Sequence, residues 1–182
     1  MSNQTATDRY STPRRMLHWA IAALMIIGII AVELHENFPK GSSTRNLMIG
    51  THFQFGMLIF ILAWPRIARA FREGNPPITP PLPSWQRGLS SATHGLLYLA
   101  MIAMPILGVL AVQAGGNPLS FLGLPLPQLI GADKDTSHTL HELHENMGNV
   151  IIALIVLHIV AAYWHHLFVK DNTLTRMLGG RK

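Results

Sequence analysis

Ten histidines and no cysteine in 182 residues direct attention to imidazole chemistry. The lack of cysteine excludes disulfides, thiolate-ligated haem, iron–sulfur clusters and haem attached through C-x-x-C-H. His144 and His158 stand fourteen residues apart, across a stretch (150–156) with no polar side chain. At about 100° per residue that spacing is nearly four whole turns, so both rings leave one face of a helix, roughly 21 Å apart along its axis. A histidine in so apolar a span needs a partner. Two of them on one face, near opposite edges of a bilayer core, suggest two stacked sites served by one helix.

The elements that must position these rings are apolar helices. The chain is 49% hydrophobic and 13% charged, about half the charged share of a soluble globular domain. Spans are expected at about 16–34, 47–65, 91–112 and 144–169, each long enough to cross a bilayer. Pro13 suits a first helical turn, and Pro105 marks a kink in the third span. Residues 75–83, with five prolines, cannot be helical. Residues 119–130 are apolar but broken by Pro125 and Pro127, and are expected to lie at the interface. The first span follows Arg14 and Arg15 too closely, and runs too long, for a signal peptide. The expected fold is all-α: one domain, an integral membrane four-helix bundle.

Four spans put both termini on one side. The tails and the second connection hold eleven lysines and arginines, while the other two connections hold Lys40, Arg45 and Lys134 alone. By the positive-inside rule both termini are cytoplasmic. Topology thus explains the net charge of +5, and no nucleic-acid partner is needed.

Depth then pairs the histidines. His18 and His158 share the inner level, and His52 and His144 the outer one. Two His–His pairs at two depths are what two six-coordinate b-type haems require, and bis-histidine ligation favours electron transfer over oxygen binding. Four residues after each of these histidines stands a small residue: Ala22, Gly56, Gly148 or Ala162. A flat macrocycle beside a helix needs such room, although small residues also serve plain helix packing. His94 has Tyr98 there instead; it is not expected to be a ligand, and at the inner haem level it is within reach of a propionate, a quinone or nothing. His138, His141 and His144 form H-x-x-H-x-x-H, which invites a zinc reading. The acids beside the first two favour a solvated helix start. His165 and His166 suit a helix C-terminus at the headgroups.

These marks resemble a known family. Arg15-Met16-Leu17-His18-Trp19, Ile49-Gly50-Thr51-His52, the His144…His158 helix and the ending from His165-His166-Leu167 through Asp171-Asn172-Thr173-Leu174 are similar to the bacterial cytochrome b561 family over nearly the whole chain. The resemblance implies a dihaem protein of the bacterial inner membrane, with His18, His52, His144 and His158 as axial ligands of two haems b (protohaem IX). It also implies exchange of electrons with ubiquinone, and in some members oxidation of superoxide.

The leading expectation is a transmembrane electron wire from a small outer-side donor, such as superoxide, to ubiquinone. Arg14, Arg15, Lys40, Arg45 and Arg66 are candidates for holding propionates or steering an anionic donor. One alternative keeps the haems and makes the chain a membrane anchor subunit for a soluble dehydrogenase. Another, from a different class, is a histidine-lined metal transporter without porphyrin.

Overall fold

Each of the first two helices starts at a serine. In a computed structural model that describes residues 9–179, the Ser11 hydroxyl accepts the Arg14 backbone N–H at the head of α1 (Thr12–Leu34), with Pro13 in its first turn. Ser42 does the same for Arg45 at the head of α2 (Ser43–Glu73), which runs through Pro65 and ends at Gly74. A side-chain oxygen there satisfies one of the N–H groups that a helix start leaves unpaired. α3 (Ser84–Ala114) continues through Pro105, and α4 (Lys134–Trp164) is capped by Asp133, which accepts from Thr136 at 2.7 Å. A single π turn (His165–Val169) extends α4, and a short helix α5 (Thr175–Leu178) closes the chain.

Four helices are long and apolar enough to cross a membrane. The helices are longer than the spans read from hydropathy: α2, α3 and α4 have 31 residues each, roughly 46 Å of rise against a hydrocarbon core of about 30 Å. Hydropathy marks the part in lipid, whereas helical hydrogen bonding continues until a cap or proline ends it. His144 therefore does not open its helix. It lies three turns inside α4, and His138 and His141 belong to the same helix as exposed residues.

The connection between α3 and α4, expected to lie at the interface, has a structure of its own. It forms a two-stranded antiparallel hairpin, β1 (Ser120–Phe121) and β2 (Leu124–Pro125), around Leu122 and Gly123. Both turn residues have positive φ, 50° and 81°, the pairing a two-residue hairpin turn requires. Proline in β2 is tolerated because a two-stranded ribbon is all edge. Residues 75–83 are free of helix, as five prolines dictate.

α1 packs on α2 and α3 on α4, and α2 joins the two hairpins through α3. Ile21, Ile59, Ala63 and Met101, with Leu24, Leu62 and Tyr98 against them, make the seam of α1, α2 and α3. No described residue of α4 is buried. Polar groups share the burial elsewhere: Arg14, Arg66, Gln113, Asp171 and Arg176 are all within the buried class, while Ile30, Leu99, Val150 and Val160 are exposed. That inversion is expected where lipid is the solvent.

Candidate functional site

Two histidine pairs meet across the gap between α4 and the α1–α2 hairpin. At the end carrying the termini, the rings of His18 (α1) and His158 (α4) have centroids 6.4 Å apart. At the hairpin end, those of His52 (α2) and His144 (α4) are 6.1 Å apart. An imidazole nitrogen lies about 2.0 Å from a metal it ligates. Two rings trans on one metal therefore have centres roughly 6 Å apart once the ring radii are added. Both pairs have that spacing. A third contact does not: His94 is 5.5 Å from His158, and its Nδ1–H donates to the Ser90 carbonyl at 2.6 Å.

Neighbours fix the rings. His52 Nδ1–H donates to the Gly28 carbonyl at 3.0 Å, which sets the tautomer and leaves the Nε2 lone pair for a ligand. His144 packs on α3 at Gly108, where an added Cβ would come within 3.1 Å of its Cε1. Its Nδ1 is buried and makes no close hydrogen bond among the described residues. His18 is approached by a cation, with Arg66 Nη2 donating to its Nδ1 at 3.0 Å. A neutral ring that accepts at Nδ1 carries its proton on Nε2. Ligation through Nε2 thus requires Arg66 to move to another acceptor, and its buried Nη1, which has no partner among the described residues, is ready for one.

The helix surfaces beside the pairs also suit a flat group. A Cβ at Gly56 would meet nothing within 4 Å, and one at Gly148 only the Met104 methyl at 3.9 Å. Close packing of helices does not demand glycine at either position, one turn from His52 and His144. Ring spacing fits a planar metal macrocycle at both pairs, and at the hairpin end a lone buried nitrogen and open glycine faces fit it too. Among the described residues no three His, Asp or Glu side chains converge to hold a bare metal ion. His138 pairs instead with Glu142 at 3.6 Å, on the exposed end of α4.

Other basic candidates turn out to serve the fold. Arg14 donates to the Gly74 carbonyl and to Asn75 Oδ1, a cation at the C-terminus of α2, and stacks on Tyr10 at 4.4 Å. Arg45 ties the loop between α1 and α2, donating to the carbonyls of His35 and Phe38 at 3.2 Å and facing Glu36. Two glutamines that hydropathy passes over hold the hairpin in place. Gln54 binds Ser120 and Leu122, and Gln113 binds Pro127 and Leu129. Asp171 and Arg176, buried near the terminus end, had no assigned role in the sequence. Their signal was a polar motif just past the last span.

Comparison with known proteins places the chain in a family. The family model for prokaryotic cytochrome b561 matches residues 9–180. Cytochrome b561 homolog 1 of Escherichia coli K12 is 36% identical over 96% of this chain and 99% of its own. A Yersinia pestis protein named "Probable superoxide oxidase CybB" is 34% identical over 93% of this chain and 96% of its own. Cytochrome b562 of Cereibacter sphaeroides is 29% identical over 97% and 99%. The chain belongs to the prokaryotic cytochrome b561 family, as a multi-pass b-type haem protein of electron transfer in the bacterial inner membrane.

Proposed function

We propose that this chain, as one domain with both termini cytoplasmic, carries electrons between two bis-histidine haems b, from a small donor at the hairpin end to ubiquinone. The observation that carries this reading is the pair of ring separations, 6.4 Å and 6.1 Å. His18 and His158 would hold one haem, and His52 and His144 the other. Bound haem supplies the one-electron redox chemistry, and the protein supplies position and field.

The field has a direction. Arg66 is buried beside His18, with no carboxylate among the described residues bonded to it. A cation there favours the electron at the terminus end. His52 at the hairpin end instead donates to a carbonyl, which makes its ring more basic and disfavours the reduced state. Electrons entering at the hairpin end therefore run downhill toward the cytoplasmic side. Turning from His18 to a haem propionate would free the Nδ1 position and leave the guanidinium charge nearly where it is. The relative named as a probable superoxide oxidase makes superoxide the first donor to try. Lys40 and Lys134 are the outer cations open to it, since Arg45 is tied into its loop.

A pyridine haemochromogen assay on the purified protein tests the first part. Two protohaems per chain with sharp low-spin bands are expected, and one or none sinks the ligand assignment. Superoxide generated in the presence of ubiquinone-1 tests the second. Quinol should appear in step with haem turnover, and superoxide loss without quinol removes the acceptor.

A further inference from the structure

The segment from His165 to Leu174 is the most distinctive polar motif in the sequence, and holding haem uses none of it. In an α-helix, residues six apart diverge by about 120° and rise about 9 Å, so their side chains cannot meet. Here α4 widens into a π turn over His165–Val169, Lys170 turns left-handed with φ 57°, and Asp171 folds back. Its Oδ2 accepts the His165 Nδ1–H at 2.6 Å, and its Oδ1 accepts the Thr173 N–H at 2.8 Å. The Asp171 side chain is 0% exposed and that of His165 is 17% exposed. Single π turns concentrate at functional sites.

Docking of this segment does not depend on the His–Asp pair. Asn172 binds Thr79 and Pro77, Arg176 binds the Pro76 carbonyl, and Trp19 binds the Met177 carbonyl. Yet His165 stands one heptad beyond His158, which is two heptads beyond His144. It thus continues the helix stripe of both α4 rings, about 10 Å past the second.

We propose that the His165–Asp171 pair delivers the protons to the quinone at the terminus end. This rests on the electron-transfer reading above. One quinone takes two electrons, arriving singly, and two protons, to become one quinol. If superoxide is the donor, two superoxide ions leave as two O₂. Asp171 holds the proton of His165 on Nδ1, so Nε2 accepts a proton from the cytoplasmic surface, and the carboxylate stabilises the imidazolium. Nε2–H then passes to a quinone oxygen, and the pair reloads for the second proton. Arg176, with Tyr10 and Arg14 behind it, faces Asp171, and His166 and Lys170 flank the pair on its own segment. Burial alone would raise the Asp171 carboxyl, but the Thr173 backbone N–H and His165 outweigh it and hold it below the ordinary value.

The test uses full-length haem-loaded protein in lipid nanodiscs, with Asp171→Asn, Asp171→Glu and His165→Gln. Reduced haem is mixed with decylubiquinone, which needs protons, or with ferricyanide, which does not. Asp171→Asn and His165→Gln should slow reoxidation by decylubiquinone tenfold or more, flatten its fall with rising pH, and leave ferricyanide reoxidation and haem content unchanged. Asp171→Glu should recover part of the rate. Equal slowing with both acceptors, loss of haem, or an unchanged quinone rate overturns the proposal. If wild-type haem is reoxidised by ferricyanide but never by decylubiquinone, the quinone reading fails first.

Discussion

At the terminus end, the His18–His158 pair lies among cations and a third imidazole: Arg66 on His18, His94 against His158, and Arg14 and Arg176 stacked on Tyr10 nearby. At the hairpin end, the His52–His144 pair meets a backbone carbonyl at Gly28 and a glycine face at Gly108. Ring separation differs between the two by only 0.3 Å, 6.4 against 6.1 Å. Spacing is thus a property of the bundle, since four helices in register bring imidazoles together at two depths. What distinguishes the ends is what lies behind each ring. A fixed charge costs no reorganisation when an electron arrives, so in the proposed electron path the asymmetric shell is what would give a symmetric scaffold its direction.

The largest test of this comparison removes a ring. Replacing His52 or His144 with alanine should halve the haem per chain and leave the terminus-end haem in place. His158→Ala should do the reverse, and His94→Ala should lose none. The pyridine haemochromogen value reads all four. Loss of both haems from any one change would mean that the ends are not independent.

Arg66→Gln comes next, because it removes the asymmetry and spares the rings. A unit charge at this range is worth roughly 1–3 kcal/mol at an effective dielectric near 20. The terminus-end potential should therefore fall on the order of 40–130 mV, taking about 59 mV per tenfold for one electron. A spectroscopic redox titration would show that wave moving and the other still. Equal movement of both waves would remove Arg66 as the source of direction.

Gly108→Ala should act on the opposite end alone. The new Cβ would sit 3.1 Å from His144 Cε1, so the ring must give by a few tenths of an ångström. Overpacking of this kind costs about 1 kcal/mol or a little more. Partial loss of the hairpin-end haem, with a broadened low-spin band, is the expected reading. An unchanged spectrum would show the ring is not set by α3.

The smallest effect concerns pH. Asp171 titrates below its ordinary value of 3.8. A depressed carboxyl stabilises the fold above the unfolded pKa, and that contribution is lost as pH falls through the folded one. Asp171→Asn should thus lower the melting temperature at neutral pH, and the gap to wild type should close in acid. A gap that persists at the acid limit would assign the loss to packing rather than charge.

Much of this architecture was legible in the chain before any coordinates. Four apolar stretches divided by prolines and charges fix four crossings, because lipid rejects unpaired backbone groups and charged side chains. The spacing of His144 and His158 fixes one face of one helix, by helical geometry alone. Counting helix direction then pairs them with His52 and His18 by depth. Side-chain partners across helices are another matter. Nothing local in Arg45 distinguishes a loop tie from a steering charge, and nothing local in Gly108 announces the ring that rests on it. Nor does hydropathy mark the hairpin that Gln54 and Gln113 pin, or the fold-back that brings Asp171 under His165 through a π turn. Crossings and facing residues follow from periodicity and solvent preference, which act along the chain. The asymmetry of the two ends follows from which groups helix packing and loop docking bring within hydrogen-bond reach, and only the tertiary structure decides that.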